Sequence, residues 1–334
     1  LKGIPYNEAA PRPAIRKSLT GVAGKMQPVD WTRRPPDMRL HGSAGTFSIR
    51  ASGGDYTALS TWEDAEDCDL TGHGPCIAEC YNDWPTGLVD NVTLFGWTTT
   101  AADYIRICTP VTQRHSGTAG TGFRMTKSGA TLISTRQSNV KIEGLELLGA
   151  TVGINVGEWE AITNIAISGN LIHDLNAGGN TRGIRLSTYA AVTDCRIFNN
   201  IVFNLDRIGI YVGLATSTAK IFNNTVYRCN LINDVWCGGF TDTGSPSVYR
   251  NNAAFGNLNK DYYGAAATQN GGTNNASSDA TGNVGLRSLA AANQFVVAAA
   301  TNANLHLKAG ADLISYLNRI ASRSSPFFGS MFPD

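Results

Sequence analysis

The chain has 334 residues, of which 36 are glycine, 28 are asparagine and only 53 are charged. A hydrophobic share of 42% excludes a disordered polar chain, and no apolar run approaches the ~18 residues of a membrane span. The net charge of +1 argues against bulk binding of nucleic acid.

That net charge is unevenly spread. Residues 1–40 carry eight Lys/Arg and three acids, a local +5, which leaves −4 for the rest. Residues 1–45 read as an extended basic arm, in which Pro5, Pro11, Pro13, Pro28, Pro35 and Pro36 block helix and central strand alike. Its sparse apolar residues cannot order it alone, so a partner is expected to. Arg12, Arg16, Lys17, Lys25, Trp31, Arg33 and Arg34 are the expected partner-binding residues. No apolar stretch of secretory-leader type stands at the start.

From Thr46 the pattern changes. Residues 46–138 read as an N-terminal cap and first rungs. Thr46–Arg50 is a strand, and a Gly53-Gly54-Asp55 turn leads to a helix from Thr57 to about Leu70, with Ser60 and Glu63 at capping-box spacing. Short strands follow near residues 92–95, 104–108, 122–125 and 131–134.

Residues 139–257 hold an internal repeat of regular rungs. Anchor positions Gly144, Gly169, Asn199, Asn223 and Asn251 recur every 24–30 residues. Two places earlier stand Ile142, Ile167, Ile197, Ile221 and Tyr249. Three places later stand Leu147, Ile172, Val202, Val226 and Ala254. Directly after the anchors stand Leu145, Asn170, Asn200, Asn224 and Asn252. Columns kept at such a period mean that one strand face stacks on the next rung, about 4.8 Å away. The Asn170, Asn200, Asn224 and Asn252 column is expected at a turn, where a stacked amide donates one way and accepts the other. Second strands start at Gly153, Gly183 and Gly209. Residues 258–334 read as C-terminal rungs and cap. The fold class is all-β: a single-stranded right-handed parallel β-helix with an N-terminal capping helix and an extended arm.

These residues resemble the pectate-lyase-like β-helix superfamily. The stretch from Gly53 to Glu63 is similar to its turn and capping helix, and Leu305–Ile314 to its closing strand and turn, with Ala311-Asp312 a departure. The resemblance covers roughly Thr46 to Ile320. It implies fold strongly and function weakly, since members include polysaccharide lyases, hydrolases and phage tailspikes.

Sugar-chain cleavage on such a solenoid needs paired carboxylates or a metal-backed base. The repeat acids Asp174, Asp194, Asp206 and Asp234 share no column. The best catalytic set is Asp174, Arg182, Arg185 and Asp206, with His173 beside it if the turn at residues 176–181 folds over. Cys68, His73, Cys76 and Cys80 form a weak zinc candidate that matches no standard spacing. Cys195 and Cys229 fall in inward columns. No cofactor is expected.

Three functions compete. The first is a non-enzymatic structural or attachment protein of a phage-like virion, capsid-decorating or tailspike-type. It would be anchored to capsid or tail proteins through residues 1–45 and displayed on the virion surface. The second is an extracellular polysaccharide lyase or glycosidase. The third is a glycan-binding adhesin. A homo-oligomer, trimeric by analogy, is expected, as is a host surface glycan partner; membrane and nucleic acid are not.

Overall fold

A computed structural model describes residues 43–268, 272–283, 286–298, 304–309 and 311. The arm residues named above lie outside these, as do Asp312 and everything after it.

The described chain is a parallel β-solenoid of three sheets, with eight, eight and seven strands. One rung illustrates the path. Val140–Glu143 lies in sheet I, Glu146–Leu148 in sheet II and Val152–Val156 in sheet III, before the chain returns to sheet I at Ile162–Ser168. The repeat columns are in register: Ile142 pairs with Ile167, Ile167 with Ile197, Ile197 with Ile221 and Ile221 with Tyr249. In sheet II, Leu147, Ile172, Val202, Val226 and Ala254 align likewise. All ten are buried in one core.

Two turn columns make each rung possible. The anchors Gly144, Gly169, Asn199, Asn223 and Asn251 all have positive φ, between 54° and 74°. Gly149, Asp174, Asn204, Arg228 and Gly256, five residues later, also have positive φ, between 51° and 63°. The chain therefore bends through the left-handed region at both ends of these five sheet II strands. Glycine and asparagine enter that region at least cost, which accounts for much of the composition. The stacked Asn170, Asn200, Asn224 and Asn252 sit one residue past the left-handed position rather than on it.

Those four amides form one buried ladder, and Asn275 extends it. Asn170, Asn200, Asn224 and Asn252 each donate backbone N–H and Nδ2 to the Oδ1 of the next asparagine, at 3.0–3.1 Å. Their Nδ2 groups also reach the carbonyls of Ile142, Ile167, Ile197 and Ile221.

The helix is shorter than expected, Leu59–Glu66, with Leu59 and Trp62 buried in the core. The capping box does not form. Ala58 is the N-cap and makes no side-chain cap bond. Ser60 instead binds Asp90 through N and Oγ, at 3.0 and 2.9 Å. Glu63 Oε1 accepts from Phe95 N–H at 2.9 Å and Trp97 Nε1 at 3.2 Å. Both side chains are used to fix the helix to the solenoid. Among the described residues, no helix is long and apolar enough to cross a membrane.

At the C-terminal end, Phe295–Val297 and Asn304–Leu307 pair antiparallel. Phe295 and Leu305 pack with Leu171, Phe203, Tyr227 and Phe255, an apolar strip on the outer face of sheet II.

Candidate functional site

The residues of the catalytic set go to different places. Asp174 occupies the left-handed column at the end of the sheet II strand Leu171–Leu175, with φ 52°. Its Oδ2 accepts from His173 Nδ1 at 2.8 Å, and its Oδ1 from Asn204. Asp206 Oδ2 accepts from Gly178 N–H at 2.8 Å and so pins the turn at residues 176–181. Arg182 and Arg185 stand on the sheet III strand Arg182–Leu186. Among the described residues, no hydrogen bond or ion pair joins either acid to either arginine.

A different pairing of acids emerges around His173. Its Nε2 lies 3.0 Å from Glu146 Oε1, so one imidazole bridges Glu146 and Asp174. Both Glu146 oxygens also accept from Gly120 N–H at 2.9 Å. Burial alone would push the His173 pKa down, but the bonds and charges of Asp174 and Glu146 outweigh it and hold it above the usual histidine value. For Asp174, burial pushes up, yet the bonds from His173 and Asn204 leave its carboxyl below the usual range. An imidazolium donating to two carboxylates fits both directions. Glu146 and His173 are 1% and 3% exposed, so no polymer reaches the inner acid or the imidazole; the Asp174 carboxylate alone meets solvent, at 44% exposure. Its place explains its use. His173 stacks on Phe203 at 4.9 Å and opens the aromatic strip on sheet II. The bonds that Glu146 accepts from Gly120 tie the loop before Gly122 onto that strip.

Column reading missed Glu146 because the contact is diagonal. Glu146 is two places after its anchor, while His173 and Asp174 are four and five after theirs. The available signal was a lone acid in a column that continues with Leu171 and Ile201.

The zinc candidate does not assemble. Cys76 and Cys80 are inward residues of one strand at 0% exposure, four residues and therefore roughly 13 Å apart. Among the described residues, no three His, Cys, Asp or Glu side chains converge as a metal site. Burial pushes the thiols of Cys76, Cys80, Cys195 and Cys229 up, and all seven cysteines are free.

An open cleft of about 410 Å³ beside the helix is lined by Glu63, Asp64, Asp67 and Arg136, among others. Burial holds the Glu63 pKa up, against the pull of its bonds from Phe95 and Trp97. Those two bonds already occupy the carboxylate oxygen that faces the solenoid.

The outward column of sheet III is polar, and Ser134, Asn155 and Thr241 in it are buried. Ser134, Asn155, Arg185, Tyr211 and Thr241 align rung on rung along it. The Arg182 guanidinium lies 5.2 Å from the Tyr211 ring centre. Arg207 pairs with Asp234 at 2.6 Å. In the loops that leave this sheet, Trp159 and Tyr189 stack at 4.4 Å and are 58% and 60% exposed. Comparison with protein-family models, curated proteins and solved structures finds no match for the chain.

Proposed function

We propose that this chain is a non-enzymatic structural or attachment protein of a phage-like virion. In this reading it is a β-helix of the pectate-lyase-like kind, held to capsid or tail proteins through residues 1–45. The observation that carries the reading is the engagement of its acids. Asp174 and Glu146 use both carboxylate oxygens, and Asp206 one, to fix turns and loops, and Asp174, Asp194, Asp206 and Asp234 share no column of the repeat. A stiff ladder-locked rod with a basic arm suits attachment better than turnover. The exposed Trp159–Tyr189 stack favours glycan contact without cleavage as a secondary role.

The test uses the full-length chain with Arg12→Glu, Arg16→Glu, Lys17→Glu, Arg33→Glu and Arg34→Glu. We expect a folded solenoid that no longer joins isolated particles. Normal incorporation of this variant contradicts the reading.

A further inference from the structure

Arg182 and Arg185 are charged groups on one sheet III strand. Neither forms an ion pair among the described residues. Arg182 Nη1 donates to the Asn180 carbonyl at 2.8 Å, and Arg185 Nη2 reaches Thr188 Oγ1 only at 3.4 Å. The Nε atoms of both are buried and have no hydrogen-bond partner among the described residues. The charges acting on Arg182 include two further guanidiniums, Arg185 and Arg207, and burial and this repulsion lower its pKa. Only Arg207 is answered by an acid, Asp234. Arginine forks left unpaired in a partly desolvated setting are expensive and match oxyanions bidentately. Asn155 supplies the second, independent sign. It is 3% exposed, is the register partner of Arg185, and its Oδ1 is a buried acceptor with no donor among the described residues. Donors for an anion, an acceptor for a hydroxyl and the Tyr211 ring thus stand on neighbouring rungs.

We propose that Arg182 and Arg185, with Asn155 beside them, bind an oxyanion (carboxylate, sulfate or phosphate) on the outer face of sheet III. The anion is either carried by a hydroxyl-bearing chain such as an acidic saccharide or free in solution. The site does not depend on the attachment reading, since it concerns neither the arm nor any cleavage.

The test titrates the full chain with a sulfated hexasaccharide, a uronate hexasaccharide, a neutral hexasaccharide and inorganic sulfate, followed by calorimetry and thermal melting. We expect saturable binding and a raised Tm with at least one anionic probe and none with the neutral sugar. Arg182→Ala and Arg185→Ala should each weaken binding about tenfold, and Arg185→Lys less. Arg196→Ala, on the exposed face of sheet I, should leave it unchanged. A response to the saccharides alone assigns a chain-borne anion, and an equal response to sulfate assigns a free one. Absence of binding by every anionic probe to the wild-type chain overturns the proposal. So does binding that survives Arg182→Ala and Arg185→Ala together. The wild-type titration decides even where a variant fails to fold.

Discussion

Asn200 Oδ1 accepts both the backbone N–H and the Nδ2 of Asn170, each at 3.0 Å, inside a turn that water does not reach. The same side chain donates onward to the Ile167 carbonyl and to Asn224 Oδ1. Each amide is therefore both a strut within its rung and a link between rungs. Asn200→Ala leaves several buried groups unpaired, at about 1–3 kcal/mol for each group. We expect a loss of at least about 3 kcal/mol in urea unfolding. The neighbouring Asn199→Gly should change stability by less than about 1 kcal/mol, because that position needs only its left-handed backbone, φ 57°. Equal losses at the two positions would show that the ladder is not special.

Gly153, Gly183 and Gly209 are needed for closeness rather than for positive φ. A Cβ on Gly183 would stand 2.6 Å from the Gly209 carbonyl oxygen and 2.6 Å from Val202 Cγ1. Gly183→Ala should cost about 1–3 kcal/mol or more through overpacking. Gly179→Ala, where nothing lies within 4 Å, should cost under about 1 kcal/mol. Chemical denaturation of the two variants checks this.

Two buried groups set the pH dependence. Burial first, and the nearby Asp279, lift Asp261 from 3.8 to about 6, so its folded form holds a proton that the unfolded form releases. Its contribution is present below pH 3.8 and is lost as pH rises through about 6. His173 is also raised, so its contribution is full below the unfolded value of 6.5 and fades as pH climbs through the higher folded value. Stability should fall as pH rises from 4 to 6, by on the order of 2 kcal/mol from Asp261, and fall further above 6.5. His173→Gln should remove the second fall. A Tm that rises steadily from pH 4 to 8 would contradict both assignments.

Cys68 is half-buried and the other six thiols are buried. Native thiol titration should therefore modify Cys68 first and the rest only on unfolding. Cys195→Val should cost under about 1.5 kcal/mol, as a volume-conserving change in an apolar column. Rapid modification of several thiols in the folded protein would contradict this.

The solenoid was readable because Ile142, Ile167, Ile197 and Ile221 repeat at fixed offsets, and stacking turns such offsets into register. The Asn170–Asn252 column was readable for the same reason, and Asn275 escaped because its rung lies past the aligned segments. Contacts that run diagonally between rungs leave no column. Glu146–His173–Asp174 is such a contact, and so is the use of Ser60 and Glu63 by Asp90 and Phe95 instead of by their own helix. Loop lengths between rungs decide these, and the repeat does not encode them.

The central claim is that the acids of this chain serve the fold rather than a reaction. Its most direct test is incubation of the full-length protein with a panel of uronate and sulfated polysaccharides across pH 4–9, scoring chain length, reducing ends and unsaturated products. The account predicts no cleavage of any substrate, together with a loss of stability in Asp174→Ala. Cleavage by the wild-type chain that is abolished in Asp174→Ala at unchanged Tm would contradict it.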